Sequence, residues 1–288
     1  MTMPTHLDPF THAQWYALGR DEDFPDGRKT QTRLLSQDLT VLRRGRTIEV
    51  TLPQGQPRPT QHRYGHVWTT FSDTPRALYD IPEFEEVERR LITAGAVHVR
   101  CSGLRAVENF LDMAHFPFVH TGILGVEEHA EVEKYDVSMD VERDEIWATN
   151  CMFFQPVAAA TAKAGGTTKY KYRLPHPYSV ILYKTCPPRP GEWDLIGLFI
   201  QPTEEDVCIV HSFVLVFDQD NTDTELLHFQ QNIFLQDRII LENQIPRRLP
   251  LDMRLEIPTR ADASSIAFRR WLKANGVTWS TVRAGDME

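Results

Sequence analysis

The chain reads as an α+β protein: a large antiparallel sheet covered by helices, preceded by a small β-rich lobe. Three observations carry this. Between about residue 132 and residue 217, runs of strand-forming residues follow one another with short polar connections and no helix between them. That pattern pairs strands antiparallel rather than winding them in βαβ units. From about Thr222 the apolar period becomes helical. Ahead of both, residues 15–72 break into short runs separated by Gly, Pro and charged clusters.

In chain order, TRLLSQDLTVL, the polar RRGR, TIEVTLP, the Pro/Gln-rich QGQPRPTQ and YGHVWTTF supply the short strands and turns of the lobe. DTPRALYDIPEFEEVERR follows as a linker and partial wrap, because Pro75 and Pro82 interrupt any regular element. A helix starts near Ser102 and carries LRAVENFLDMAH. VEKYDVSMDVERDEIWATNCMFF predicts a hairpin with ERDE at its turn. TKYKYRL, SVILYKT, DLIGLFIQP and VCIVHSFVLVF add further strands, with PTEED turning between the last two. The helical run TDTELLHFQQNIFLQDRIILENQ stops before Pro246, and a last helix, ASSIAFRRWLKANG, ends with Gly276 as its C-cap.

Composition narrows the function classes. With 288 residues and 41% hydrophobic side chains, the chain is large enough for one big domain or two modest ones. Its net charge is −9, and 31 basic residues are scattered among 40 acidic ones. That is not the one-sided basic surface that binds phosphate backbones, so no nucleic-acid partner is expected. The opening MTMPTHLDPFTHAQW has neither a basic nor an apolar leader pattern, and no stretch of about 18 apolar residues occurs. The expectation is a cytoplasmic chain without membrane association. Cys101, Cys151, Cys186 and Cys208 are widely spaced and form no CxxC pair, so reduced thiols are expected rather than disulfides or a zinc site.

The most informative segment is ENFLDMAHFPFVHTGILG, residues 108–125. On a helix, Asn109, Asp112 and His115 follow at three-residue steps and share one stripe. His120 lies five residues past His115, and Pro117 between them bends or ends the helix, which can bring both imidazoles to one point. By themselves, two histidines five apart are more often packed or surface residues than ligands. Farther on, Ile233, Asp237 and Leu241 are spaced by four, and Phe229 and Ile240 extend the apolar stripe, so Asp237 falls on the buried face of its helix. A buried carboxylate needs a partner: a cation, a hydrogen-bond cluster or a metal; the commonplace one is a salt bridge to Arg or Lys. Two imidazoles and one carboxylate together make the facial triad of non-haem iron(II) oxygenases, which leaves coordination positions open. No HExxH is present to suggest a zinc hydrolase.

ENFLDMAHFPFVH resembles the ENxxDxxHxxxxH signature of Rieske non-haem iron oxygenase catalytic subunits, in the vanillate O-demethylase and methylxanthine N-demethylase branch. WYALGRDEDFPDGRKTQTRLLSQDLTVLRRG and RYGHVWTTFSDTPRALYDIPEF resemble the opening and exit of that branch's Rieske domain. LPLDMRLEIPTRADASSIAFRRWL resembles its C-terminal segment. The resemblance implies a helix-grip catalytic domain over 76–288 and a degenerate Rieske-like lobe over 1–75. It makes His115, His120 and Asp237 the iron ligands, and has Asp112 hydrogen-bond a ligand histidine, as outer-shell carboxylates do. Asn109 would sit close to the iron.

One departure is as informative. A Rieske cluster needs two cysteines and two histidines, yet the first cysteine here is Cys101, past the lobe. His62 and His66 read as surface residues, and the CxxH string at Cys208–His211 falls in a strand, where residues three apart point to opposite faces. The departure resembles cluster-lacking demethylase components that borrow a Rieske domain from their reductase. It implies Fe(II) with O2 as co-substrate and no 2Fe-2S cluster in this chain. Electrons would come from NAD(P)H through a partner's flavin and iron-sulfur centres. The implied substrate is a small aromatic or heterocyclic molecule, such as 7-methylxanthine going to xanthine and formaldehyde. The implied assembly is an oligomer, with other oxygenase or structural subunits possible. The alternative is a non-catalytic ligand-binding or scaffold subunit, which keeping all three ligand residues argues against.

Overall fold

The computed structural model describes residues 7–157 and 165–283. A short helix α1 (Pro9–His12) leads into β1 (Tyr16–Gly19), which pairs with β7 (His66–Thr69) and through it with β6 (Thr60–Arg63). Between β1 and β6 lies a four-stranded meander, β2 (Lys29–Leu34), β3 (Gln37–Arg44), β4 (Thr47–Thr51) and β5 (Pro57–Arg58). TRLLSQDLTVL is therefore a hairpin, not one strand. It turns at Leu35 and Ser36, both at positive φ (49° and 60°), the geometry of a two-residue hairpin loop. The Leu35 and Ser36 N–H groups donate to the carbonyls of Pro202 and Thr203 at 2.7 and 2.9 Å. The turn is thus anchored onto the main sheet, which is why a buried leucine takes a conformation that usually selects Gly or Asn.

The main sheet has seven antiparallel strands in the order β8 (Arg90–Val99), β14 (Val207–Val216), β13 (Trp193–Glu204), β12 (Ser179–Thr185), β11 (Gly166–His176), β10 (Glu145–Gln155) and β9 (Asp136–Asp140). From β9 to β14 each strand pairs with the next in sequence, as short polar connections require. The exception is β8, which lies beside β14. Residues 100–135 must then cross the sheet from one edge to the other. That crossing carries α2 (Gly103–Leu111) and α3 (Phe116–Val119) over one face, where α4 (Asp223–Asn243) and α5 (Ala263–Ala274) complete the cover.

Both faces of the sheet are covered, which explains why strands such as SVILYKT are buried almost throughout. Val180, Leu182, Leu198, Ile200 and Val210 pack under the helices with Leu104, Leu111, Phe234 and Phe268. Ile181, Tyr183, Leu195, Phe199 and Phe213 face Tyr64, Trp68, Tyr79 and Phe84 of the lobe and linker. A bidentate Glu145–Arg173 pair, both N···O distances 2.7 Å, ties the linker to the sheet, because Arg173 also donates to the Asp80 carbonyl at 2.8 Å.

Candidate metal centre

The local sequence sets the site in three steps. Ser102 caps α2, its hydroxyl accepting the Leu104 N–H at 3.1 Å. The helix then ends at Leu111, and Asp112 is already extended (φ −83°, ψ 122°). Asn109, Asp112 and His115 therefore do not share one continuous helical stripe, and the break falls five residues before Pro117. The cause is local: Asp112 Oδ1 accepts the Ala114 N–H at 2.7 Å, an Asx turn that competes with helix propagation. Pro117 opens α3 rather than ending a helix, since a first-turn residue needs no N–H. His115 and His120 are the two residues flanking α3. The following TGILG turn lies tight on this unit; a Cβ on Gly125 would come within 2.7 Å of the Pro117 nitrogen.

The carboxylate comes from α4, which starts with a capping box in which Thr222 accepts the Glu225 N–H and Glu225 accepts the Thr222 N–H. Its buried stripe is Leu226, Gln230, Phe234, Asp237 and Leu241. Asp237 is buried as expected, but Phe234 takes the place read for Ile240, which is 47% exposed. Crossing over α3, this stripe delivers Asp237 to the two histidines: its Oδ1 is 3.3 Å from His115 Nε2 and 3.0 Å from His120 Nε2, and the two Nε2 atoms are 3.1 Å apart. Among the described residues, these three form a group of side chains close enough together to hold one ion.

Hydrogen bonding decides what that point can accept. His115 Nδ1 is 3.2 Å from Asp112 Oδ2, and a carboxylate can only accept, so this nitrogen carries a proton. His120 Nδ1 meets Gln236 Oε1 at 2.8 Å. With both Nδ1 atoms donating outward, neutral imidazoles aim both Nε2 lone pairs inward, at a carboxylate oxygen that is itself buried and, among the described residues, without a hydrogen-bond donor. Three acceptors facing one point repel one another unless a cation or a proton sits between them. In the absence of metal the proton serves: burial disfavours the imidazolium, but Asp112 and Asp237 outweigh it and hold His115 at about 9. Burial likewise opposes the Asp237 carboxylate, and the two histidines still keep it below its ordinary range. The donor set fits a divalent ion of borderline softness with three protein ligands on one side.

Two hollows meet at His115. The inner cavity is walled by Phe110, Phe116, Phe229, Ile233 and Phe234. The outer cleft runs past Asp112 to Met253, Ile257 and Arg269. Asn109 lines both. Among the polar residues nearby, Gln155 and Gln230 line the inner cavity. Asn150 is exposed and donates to Asp136 at 2.7 Å, Gln231 donates to the Ala94 carbonyl at 3.0 Å, and Asn232 is exposed.

Sequence reasoning missed Gln236, hidden beside the more conspicuous Asp237, and Lys184, Tyr170 and Tyr172 on the cavity floor. Their signal was a lysine and two tyrosines in the inward phase of strands that are buried on both faces. His66 also differs from its reading: it is buried, with Nδ1 2.8 Å from the Tyr64 carbonyl, and burial pushes its pKa down to about 4. His62 is exposed. Within CIVH the two side chains do point apart: Cys208 packs in the helix-side core with Cys101, while His211 lies against His66 and Gln201. All four cysteines are free thiols.

Fold and site together define an oxygenase catalytic domain. Residues 99–276 match the vanillate O-demethylase oxygenase C-terminal domain, and the chain belongs to that Rieske oxygenase family. It is 45% identical over 275 residues, 95% of this chain and 98% of the other, to a probable methylxanthine N7-demethylase, NdmC, of Pseudomonas sp. (strain TJI-51). It is 25% identical to the methylxanthine N1-demethylase NdmA of Pseudomonas putida, covering 74% of this chain and 59% of that one. The fold matches Pseudomonas putida CBB5 NdmA with caffeine at TM-score 0.76 and 16% identity, over 92% and 90% of the two chains. It matches dicamba monooxygenase bound to 3,6-dichlorosalicylic acid at 0.75 and 15%, over 92% and 97%. No described helix is long and apolar enough to cross a membrane.

Proposed function

We propose that this chain is the catalytic component of an oxidative N-demethylase, that His115, His120 and Asp237 hold one iron(II), and that a methylxanthine, 7-methylxanthine first, is the substrate. The observation that carries the metal assignment is the convergence of two inward imidazole lone pairs on a buried carboxylate oxygen that lacks a donor. The substrate reading rests on the NdmC relative, aligned over nearly the full length of both chains.

Iron(II), when bound, supplies the activation of O2 that inserts oxygen into a C–H bond of the N-methyl group. The chain's own groups do the rest. Asp112 and Gln236 fix the ring orientations of His115 and His120. The phenylalanine walls hold a flat ring and keep water from its methyl group. The N-hydroxymethyl product then breaks its C–N bond, giving N–H and formaldehyde. The balance is one O2, two electrons and two protons per methyl removed, with one water formed.

The electrons come from outside in this reading, from NAD(P)H through a reductase that carries flavin and a Rieske domain. Residues 1–75 are then a remnant Rieske lobe and 76–288 the iron domain. The lobe contains no cysteine, and all four thiols of the chain are buried elsewhere. Free thiols also fit a cytoplasmic setting. Asp112, at the meeting of cleft and metal centre, offers the donor an approach, and an oligomer or companion oxygenase subunit would complete it.

The test is an iron and acid-labile sulfide assay, coupled to formaldehyde release with reductase, NADH and 7-methylxanthine. About one iron per chain, no sulfide and formaldehyde matching the substrate consumed are expected, from the ligand count. Protein that takes up no iron, or that yields no formaldehyde when loaded, overturns the reading.

A further inference from the structure

The cavity has a floor as well as walls, and the floor is not apolar. Tyr170 on β11 is the direct cross-strand partner of Lys184 on β12, and Lys184 is that of Asp194 on β13, so Tyr170 and Lys184 form a rung on the face beneath α4. Tyr172 sits on the neighbouring rung with Leu182 and Ile196. Gln155 faces the same cavity from β10; its Oε1 accepts the Thr168 hydroxyl at 3.3 Å, which leaves its NH2 to donate.

These groups share a chemistry. Both tyrosine hydroxyls are buried and, among the described residues, without a hydrogen-bond partner; that of Tyr170 lies near Thr168 but outside hydrogen-bonding geometry. An unmade hydrogen bond on a buried hydroxyl is costly, so it marks a place where a ligand completes the protein. An ammonium carries three N–H donors, so Lys184 can direct one at the cavity whatever the others do. A lysine 8% exposed on a sheet face is itself rare.

We propose that Lys184, Tyr170 and Gln155 are the substrate-recognising row, which binds the carbonyl and ring-nitrogen edge of a flat heterocycle and so turns its N-methyl group toward His115, His120 and Asp237. The proposal rests on the demethylase reading for the identity of the ring. The charge sits with the donors on one strand-face, while the ring planes of Phe229 and Phe234 line the opposite side from α4. Burial pulls Lys184 down to about 8, opposed by Asp194, so an acceptor oxygen or a ring anion is its natural counterpart. The row discriminates by hydrogen bonding rather than by shape. Sites built this way reject an analogue lacking the acceptor far more strongly than one differing by a methylene.

The test is calorimetric binding to the full-length chain prepared without metal. The probes are 7-methylxanthine and 1-methylindole, a flat N-methyl ring with no carbonyl. The wild type should prefer 7-methylxanthine by about 100-fold or more. Lys184→Met should weaken 7-methylxanthine by roughly 10- to 100-fold, and Tyr170→Phe by about 5- to 10-fold, with 1-methylindole unchanged in both. Tyr170→Phe keeps the packing, so it stays informative should Lys184→Met fail to fold. Unchanged binding in Tyr170→Phe and in folded Lys184→Met, or no wild-type preference for the carbonyl-bearing ring, overturns the row. A chain that binds 7-methylxanthine through these residues but gives no formaldehyde when loaded with iron(II) sinks the demethylase reading and leaves the row standing. Demethylation at wild-type KM by the double variant does the reverse.

Discussion

Glu108 on α2 and Asp237 on α4 are buried to the same degree, 8% and 7% exposed, and line two hollows that share Asn109 and His115, yet their surroundings differ completely. Glu108 accepts from Arg269 Nε and Nη2 at 2.5 and 2.9 Å and from Arg105 Nη1 at 3.1 Å. Both guanidiniums also reach Glu256, so the cluster is closed. Among the described residues Asp237 meets no guanidinium, and it points at two ring nitrogens. Burial of a carboxylate therefore does not mark a metal site; what marks it is a neighbourhood made of acceptors. Glu108 has the commonplace partner that the sequence offered equally to Asp237.

The comparison breaks most visibly in Asp237→Asn. This change removes the charged ligand while giving the amide a donor for the imidazole lone pairs. Iron uptake and formaldehyde release should fall by well over 100-fold, since even an outer-shell partner is worth roughly 10- to 100-fold. Above about pH 9, where His115 is neutral, the metal-free fold should be as stable as the wild type or more so, because a repulsive contact is relieved; near pH 7 it should lose the stabilisation that charged His115 draws from Asp237. An Asp237→Asn protein that is destabilised above about pH 9 as well would mean that Asp237 is a structural ion-pair residue. Glu108→Gln should behave oppositely. It leaves two buried guanidiniums short of charge and should cost about 3 kcal/mol of stability by chemical denaturation, at the low end for broken buried pairs because Glu256 still reaches both. Its iron content should stay near that of the wild type.

How legible this was from sequence follows from which interactions are periodic. The strand succession, the helical switch at Thr222 and the burial of Asp237 all repeat with a fixed spacing, and they appear in the structure as read. The Leu35–Ser36 turn was hidden because its positive φ angles are held by the carbonyls of Pro202 and Thr203, about 170 residues away in sequence. The end of α2 at Asp112 was misplaced for a local reason: the proline was weighed as a helix breaker, and the Asx turn ahead of it was not. The cavity floor was invisible for a third reason. Tyr170, Lys184 and Gln155 meet only through strand register, which no single segment encodes.

A smaller effect sharpens the role of Gln236. Its Oε1 is the acceptor that keeps the His120 proton on Nδ1. Gln236→Leu removes that acceptor with little change in volume, so the tautomer is no longer fixed and iron affinity should drop about 10-fold. Gln236→Glu restores an acceptor and should recover it. Equal affinity in the Leu variant would leave Gln236 as an ordinary contact.

The smallest effect is a dependence on pH, and it separates the two carboxylates without any mutation at either. In metal-free protein His115 is held at about 9 because, against burial, Asp112 and Asp237 favour its charged form. The unfolded value is near 6.5. A group raised on folding stabilises fully below its unfolded value, and the contribution disappears as pH climbs through the folded one. Melting temperatures of metal-free chain should therefore decline between about pH 6.5 and pH 9 and level off above. Iron displaces the same proton, so its affinity should rise about tenfold per pH unit over that window and flatten beyond it. Asp112→Asn weakens the hold on the proton and should shift both curves to lower pH together. Curves that stay flat from pH 6.5 to 9, or that ignore Asp112→Asn, would mean that the three acceptors are not facing one another. The distinction between Asp237 and Glu108 would go with them.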